Sequence, residues 1–263
     1  MGSKRLIMNA DDFGFSDHTA EATIDCLKSG VLSSATLMAN MPAFEKAAAF
    51  AVQHPEFSYG AHLCLTDERP VSNPADIPTL VGPTGRLWPT REFIKRASSG
   101  RIRPGDICRE MLAQLLLIRW AGIEMTHVDT HGHVHKFPVV LLALRNALRT
   151  SGICIVRRMQ NLYYHAPSLS KRCYNNLVNL LVRRLGKTTD HFLMVAGVLR
   201  QEDDSWWPHC IERLPEGVTE IGIHPGTDEQ WRRLDTLSVI EGGRRFLERH
   251  EIELISFKEL ARA

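Results

Sequence analysis

The chain has 263 residues, of which 44% are hydrophobic and 24% charged, close to the averages of soluble globular proteins. Its 32 basic and 30 acidic residues give a net charge of +2, which argues against nucleic acid as a partner. Six widely spaced cysteines without a C-x-x-C pair predict neither a zinc knuckle nor a disulfide framework, and no apolar run reaches the length of a membrane span. We therefore expect a reduced, cytoplasmic protein, with which a homo-oligomer is compatible.

Short apolar runs alternate with helical patterns along the chain. The first helical pattern begins at the N-cap candidate Ser16 and ends near Gly30. Further helical patterns lie between Pro42 and Pro55, at 91–99 and at 105–121. The strand candidates are Leu6–Ala10, Leu32–Met38, Ser58–Leu65, Met125–Thr130, Ile153–Arg157, Phe192–Val195, Val218–Ile223 and Ile252–Phe257.

This alternation predicts a parallel sheet, because parallel strands need a crossover helix between them. Seven or eight such units favour a closed or nearly closed (β/α) barrel over an open doubly wound sheet. No G-x-G-x-x-G opens the first helix, so dinucleotide binding has no support. We expect one domain over residues 1–263 with a Pro-rich insertion at about 67–90, which is too long for an ordinary connection. The sequence pattern indicates no role for residues 161–187.

Two adjacent acids, Asp11 and Asp12, follow the first apolar run in the sequence N-A-D-D-F-G. In (β/α) barrels, active-site residues lie at the C-terminal ends of the strands. The pair therefore has two interpretations, as solvated acids at a helix cap or as functional carboxylates. Since consecutive residues project in different directions, one acid can face a metal while the other faces a water.

Histidines follow three further strand candidates. His62 lies within an apolar strand, where a satisfied core histidine is the commoner outcome. His224 ends a late strand before a tight turn, where a cap or a packed histidine competes with catalysis. The strongest pattern alternates through residues 127–135, where period two places the polar side chains on one face. It comprises His127, Asp129, His131, His133 and His135.

Metal binding is the natural explanation for so many imidazoles on one face, since neutral imidazole is the commonest ligand for first-row divalent ions. One strand and its loop cannot deliver all of them to one ion, so the others would contact substrate or support ligands. Asp129 is placed to hold the second N–H of a ligand imidazole. A Lewis acid, a free carboxylate and a separate imidazole together suit attack of activated water on an amide or ester carbonyl.

In these motifs the sequence resembles the YdjC-like carbohydrate deacetylases, a family that includes chitooligosaccharide deacetylases. The matching segments are N-A-D-D-F-G at 9–14, G-x-H-L-x-L-T at 60–66, H-x-D-x-H-x-H-x-H with a following F-P at 127–138, and H-P-G at 224–226. The resemblance implies a deformed (β/α) barrel related to the polysaccharide deacetylases. It also implies removal of the N-acetyl group from an acetylated amino sugar.

The resemblance further implies residue roles. Asp12, His62 and His131 match the family's metal ligands, Asp11 the general base and His224 the acid. Two imidazoles and one carboxylate favour zinc, nickel or cobalt, and magnesium is compatible with the family. The Pro-rich insertion is then expected to cover the site and select the sugar, with Trp88 as a stacking face.

The chain departs from many relatives that carry three consecutive histidines where it has His131-Gly132-His133. Three other functions remain as alternatives, namely a metal-dependent phosphoesterase, an amidohydrolase and a non-catalytic sugar-binding protein. The first two usually carry an H-x-H pair on the first strand, where this chain has its two acids. A sugar-binding protein would have no use for Asp11 beside Asp12.

Overall fold

The computed structural model describes residues 3–195, 211–243, 247–248 and 252–262. Within these ranges one sheet is formed in which every paired strand runs parallel to its neighbours. The prediction of a parallel sheet is confirmed. The strands are β1 (Lys4–Phe13), β2 (Ser34–Leu37), β3 (Ser58–Leu63), β4 (Met125–Thr130), β5 (Ile155–Val156), β6 (His191–Met194), β7 (Gly217–Ile223) and β8 (Glu253–Leu254).

The sheet curls into a half-barrel with the strand order β5-β4-β3-β2-β1-β7-β6, and β8 pairs with β1. The edge strands β5 and β6 do not pair directly. Loop residues bridge the gap between them, since the backbone N–H groups of Asn161 and Leu162 donate to the Phe192 carbonyl at 3.2 and 3.1 Å. The predicted deformed barrel is therefore confirmed in an incompletely closed form.

Helices follow most strands and cover the outside of the sheet. Ser16 caps the first helix as predicted, because its side chain accepts a hydrogen bond from the Thr19 amide at 3.2 Å within a capping box. The helices are α1 (Asp17–Lys28), α2 (Phe44–Gln53), α3 (Thr90–Ser98), α4 (Pro104–Trp120), α5 (Pro138–Ser151), α6 (Leu169–Val182), α7 (Gln230–Leu237) and α8 (Phe257–Arg262). None of the described helices is both long enough and apolar enough to cross a bilayer.

The inside of the barrel is apolar at one end and polar at the other. Along β1 the side chain of Ile7 belongs to an apolar cluster at the end where the strands begin. Asn9 and Asp11 follow on the same face, because side chains alternate along a strand. The apolar cluster forms the floor of the barrel and consists of Ile7, Ile155, Val218, Ile255, Phe257 and Leu260.

Most strand boundaries differ from the predictions by one to three residues, and three differences matter most. β1 continues beyond Ala10 to Phe13 and so carries both acids within the strand. β5 comprises only Ile155–Val156. The last strand ends at Leu254, because the Ser256 amide donates to the Glu259 carboxylate at 2.6 Å and the chain turns into α8 at Phe257.

The Pro-rich insertion is ordered and packed against the barrel. Its apolar residues Ile77, Leu80 and Leu87 are almost completely buried in the main core. The buried carboxylate of Glu110 on α4 accepts hydrogen bonds from the amides of residues 71 and 72, both at 2.9 Å. These contacts show that the insertion is a packed part of the domain with its own contacts to the core.

Candidate active site

Five of the predicted site residues lie at the rim of the barrel, where the strands end. Asp11 and Asp12 end β1, His62 lies near the end of β3, and His131 and His224 directly follow β4 and β7. Parallel strands present all their C-terminal ends at the same edge, which explains why positions far apart in sequence meet there.

The side chains of Asp12, His62 and His131 converge on one point. The Asp12 Oδ1 atom lies 3.3 Å from His62 Nε2 and 3.0 Å from His131 Nδ1. All three donor atoms lie within 4.8 Å of one another. Asp12 reaches this position through a left-handed backbone with φ of 61°, a conformation that aspartate tolerates better than most residues. Strain of this kind concentrates at functional sites.

A further observation on these residues supports a site for a divalent cation. The Nε2 atom of His62 is buried and, although Asp12 Oδ1 lies 3.3 Å away, makes no hydrogen bond with any of the described residues. An unpaired buried imidazole nitrogen is costly unless another group satisfies it. Two imidazoles and a carboxylate are a common donor set for catalytic zinc and related ions.

A second cluster, Asp11, His62 and Asp129, has donor atoms equally close together. Both of its carboxylates already bind the Arg157 guanidinium, which contacts the Asp11 oxygens at 2.6 and 2.7 Å and also pairs with Asp129. A metal there would meet a buried positive charge. The Asp12 cluster is therefore the better candidate for a cation site.

Arg232 of α7 determines which oxygen of Asp12 is free. Its Nη2 atom donates to Asp12 Oδ2 at 2.7 Å, so only Oδ1 faces the two histidines. The guanidinium is almost fully buried and lies over the ring of Trp231 at 4.4 Å. This contact orients Asp12 and makes Arg232 a residue of the site that the sequence analysis missed.

A buried charge network supports the rim from below. Arg157 is completely buried and binds three carboxylates, those of Asp11, Asp129 and Glu220, the last at 2.6 Å. Removing one partner of such a buried pair typically costs about 3–5 kcal/mol, because the other charge stays buried without compensation. Asp129 in turn lies 2.7 Å from His62 Nδ1, which fixes the orientation of that ring.

The network sets the protonation states at the rim. Burial alone would raise the pKa of Asp11, but the Arg157 guanidinium holds it well below its usual range. Burial likewise opposes ionisation of Asp12, whereas the hydrogen bond with His131 and the nearby imidazole of His62 hold its pKa well below the usual range. Glu220 behaves in the opposite way, since burial raises its pKa to about 7 despite Arg157. Asp11 and Asp12 are thus the ionised acids of the site.

His224 faces Asp11 across the rim, with 3.9 Å between its Nε2 and Asp11 Oδ2. Its own amide donates to the buried carboxylate of Asp235 at 3.0 Å, and its ring lies against Trp231. Burial lowers the pKa of His224, and the nearby acids only partly offset this. Its Nδ1 is buried without a partner among the described residues, so the ring has a free polar atom on each side.

His127 does not reach the rim, although it shares a face of β4 with Asp129. Its ring stacks on Phe257 at 3.6 Å in the floor of the barrel and is completely buried. A Cβ atom at Gly60 would meet the same ring at 2.6 Å, which explains why glycine fits there. In place of the predicted contact with substrate or ligands, His127 fills the core beneath the site.

His133 and His135 lie in the kinked 3₁₀ segment His131–Lys136 after β4, beside the rim. The backbone of Gly132 and His133 is left-handed, which rotates His133 towards Phe192 at 5.7 Å. His135 is buried, with its Nδ1 2.7 Å from the Thr130 hydroxyl, and burial lowers its pKa to about 3. Both rings pack within the loop that carries His131, so they support its shape.

Trp88 belongs to the interior of the Pro-rich insertion. Its indole N–H donates to the Thr79 carbonyl at 3.0 Å, and the Arg96 guanidinium covers its ring at 3.8 Å. These contacts are those of a packing residue, and the ring face that Arg96 covers is closed to a sugar. The insertion nevertheless begins at the rim. Its first residue, Asp67, lies four residues beyond the end of β3, and its carboxylate interacts electrostatically with His131.

Four functional residues were missed by sequence reasoning. Arg157 and Glu220 fell inside predicted strands, where a charged residue among apolar ones at an inward position was a usable signal. Arg232 and Asp235 lie three residues apart on α7, and nothing in their spacing distinguishes them from an ordinary solvated helix face.

Comparison with known proteins places this chain among named relatives. A family model described as YdjC-like protein matches residues 5–260. A carbohydrate deacetylase of Geobacillus stearothermophilus is 45% identical over 134 residues, which are 51% of this chain and 51% of that protein. Another, of Clostridium beijerinckii, is 29% identical over 97% of this chain and 100% of its own length. The chain therefore matches only about half the length of the first of these relatives.

One solved structure has the same fold over almost the whole chain. It is a protein of Enterococcus faecalis V583 described as a candidate for cellobiose-phosphate cleavage. The two superpose with a TM-score of 0.78 and 22% identity, over 98% of this chain and 99% of the other. At this identity the likeness concerns the fold alone.

Proposed function

This chain belongs to the YdjC-like family, and from that premise we propose that it is a metal-dependent carbohydrate deacetylase that releases acetate from an N-acetylated amino sugar. The observation that carries the proposal is the convergence of Asp12, His62 and His131 beside a separate ionised acid, Asp11. The names of the curated relatives agree with this activity.

Asp12 Oδ1, His62 Nε2 and an imidazole nitrogen of His131 would hold one divalent cation. When bound, the cation supplies Lewis acidity that activates a water molecule and polarises the acetyl carbonyl. The nitrogen-rich donor set favours zinc, nickel or cobalt, and magnesium is compatible with the family. Asp129 keeps His62 in one orientation through its Nδ1, and Arg232 keeps Asp12 in one orientation through its Oδ2.

Asp11 would take the proton of the attacking water. Arg157 keeps this carboxylate ionised, so it is ready to accept a proton at neutral pH. The same pairing makes it a weak base, and the reaction therefore depends on lowering the pKa of the water. Proton transfers of this kind contribute about 10²–10⁴-fold in rate.

His224 would deliver a proton to the leaving sugar amine after taking up the proton that Asp11 accepts from the water, because its lowered pKa leaves the ring neutral beforehand. Its ring nitrogen Nε2 lies 3.9 Å from Asp11 Oδ2, and both Asp12 and Asp11 act electrostatically on the ring. His224→Ala should therefore slow hydrolysis of an N-acetyl sugar much more than hydrolysis of an aryl acetate, because a good leaving group hardly needs an acid. Equal losses of kcat on both substrates would exclude this role.

The activity is tested by measuring acetate release from a panel of N-acetylated mono- and oligosaccharides with and without added divalent ions. We expect acetate release to depend on metal and to be lost in His62→Ala. It should be retained in His165→Ala, because His165 is exposed. Release of phosphate from aryl phosphates without any acetate release would favour the phosphoesterase alternative. Sugar binding without turnover on any substrate would favour a binding protein.

A further inference from the structure

The charges of this chain are unevenly distributed, although their sum is close to zero. The 59 residues from 131 to 189 contain ten lysines and arginines but no aspartate or glutamate. The rest of the chain contains 22 basic and 30 acidic residues. The acid-free block forms α5, β5 and α6, so it occupies one side of the barrel.

Most cations of this block point into solvent. Arg157 and Arg158 are buried, whereas seven others are exposed. Among the described residues, no carboxylate pairs with any of these seven cations, and the ion pairs of the block involve only Arg157 and His131. The seven are Arg145, Arg149, Lys171, Arg172, Arg183, Arg184 and Lys187.

Leucines are exposed among these cations. On α6 the side chains of Leu177 and Leu180 are 58% and 59% exposed, and Leu181 is 39% exposed. Their spacing of three and four residues places them along one stripe of the helix. Leu169 begins the same stripe and is 76% exposed. A helix with a leucine stripe, several cations and no acid is typical of helices that lie at a membrane surface.

A groove of about 880 Å³ runs between α5 and the end of α6. The α5 residues that line it recur along the whole helix, from Pro138 to Arg149, and Leu142 among them is half exposed. The opposite wall carries Leu181, Leu185 and Arg184. The lining is apolar with a cationic rim and contains no acidic side chain.

We propose that this α5–α6 face binds the surface of a lipid bilayer that contains anionic lipids. The exposed leucines would enter the boundary between headgroups and acyl chains, and the unpaired arginines would lie at the level of the phosphates. Charge complementarity supports this occupant, because an anionic surface supplies the counter-ions that the described residues lack.

The same charges disfavour the other occupants of such a face. A second copy of this chain packed across a two-fold axis would bring two acid-free surfaces together, and like charges in contact repel. A nucleic acid would use the cations but would leave the leucine stripe uncovered. Only a surface that is both anionic and apolar uses both features.

Co-sedimentation with vesicles tests the proposal. The wild-type chain should sediment with vesicles of phosphatidylglycerol and phosphatidylcholine, but not with phosphatidylcholine alone, and salt should weaken the binding. Arg145→Gln/Arg149→Gln/Arg184→Gln should weaken partitioning roughly 100-fold, since each cation near such a surface contributes about a factor of five. Leu177→Ser/Leu180→Ser should also weaken it, without any change of charge.

Lys28→Gln/Arg91→Gln/Arg101→Gln is the matched control, because it removes the same charge from exposed sites on other elements. It should leave vesicle binding nearly unchanged, and circular dichroism checks that every variant is folded. Absence of binding by the wild-type chain would overturn the proposal, as would equal losses in the two triple variants. Binding of an RNA or DNA oligonucleotide that is unchanged in Leu177→Ser/Leu180→Ser would also overturn it. The same holds if the chain does not bind vesicles but forms a dimer that Leu177→Ser/Leu180→Ser dissociates.

Discussion

His127 lies on β4 and His131 directly follows the strand on the same face, four residues later, but the two side chains have different environments. His127 is buried in the floor, where it stacks on Phe257 and touches Gly60. His131 lies at the rim, about one third exposed, with its Nδ1 3.0 Å from Asp12. Strand alternation decides which face a side chain occupies, but the height along the barrel decides its role.

The level between them connects the two environments. Asp129 is halfway along the same face and contacts both His62 at the rim and Arg157 in the buried network. The floor is held by apolar packing, the middle by paired charges, and the rim contains polar atoms that no described residue satisfies. The three layers therefore differ in what holds them, although buried atoms without a partner also occur below the rim, at His127 Nε2 and Glu220 Oε2.

Asp11→Asn at the rim should have the largest effect on turnover. We expect kcat for acetate release to fall by about 10²–10⁴-fold, because the amide cannot accept the proton of the attacking water. Metal content should stay at the wild-type level, since Asp11 is not among the expected ligands. Steady-state kinetics with metal analysis of the same preparation tests this, and a variant that loses its metal would move Asp11 into the ligand set.

Asp129→Asn in the middle layer should weaken metal binding by about 10–100-fold, because His62 loses the carboxylate that orients its ring. Competition with a chromogenic chelator measures the affinity. Thr36→Val is the matched control, since it removes the weaker hydroxyl contacts to Asp129 at 3.3 Å and to His62 Nδ1 at 3.4 Å but leaves the carboxylate of Asp129 in place. Equal metal affinities in wild type and Asp129→Asn would show that the contact between Asp129 and His62 is only structural.

His127→Leu in the floor should lower the free energy of unfolding by about 1–3 kcal/mol, through loss of the ring stacking and of the hydrogen bond to Thr126. The folded variant should keep its metal affinity and kcat. Urea denaturation and kinetics on the same samples test this. A variant of normal stability with a reduced kcat would reverse the assignment of floor and rim.

An effect that depends on pH is expected behind the rim, at Asp235. Burial raises the pKa of this carboxyl to about 7, whereas in the unfolded chain it is about 4. Folding therefore binds a proton between these pH values, and the contribution of Asp235 to stability is present below about pH 4 and lost as the pH rises towards 7. Asp235→Asn should flatten this decline by an amount on the order of a few kcal/mol.

Urea denaturation at the two ends of this pH range measures the difference for the wild type and Asp235→Asn. Asp228→Asn, an exposed acid seven residues earlier, is the control and should follow the wild type. Parallel profiles for the wild type and Asp235→Asn would mean that the folded protein keeps Asp235 ionised throughout.

The sequence predicted a barrel-like parallel sheet because strand and helix periods alternate along the whole chain. It placed Asp11, Asp12, His62, His131 and His224 at one edge because strand ends share an edge in such folds. It could not place His127, because an alternating pattern shows which face of a strand a side chain occupies but not its position along the barrel axis. Nor could it find Arg232 and Asp235, which reach the site only through the packing of α7 against the barrel.

Metal titration into the apo protein tests the central claim most directly. Calorimetry with zinc or cobalt should give one equivalent bound by the wild type and by His165→Ala, and binding should be lost in both His62→Ala and His131→Ala. Each removal leaves two of three ligands, too few for a stable site of this kind. Full occupancy in both His62→Ala and His131→Ala would contradict the assignment of the cation to the Asp12 cluster.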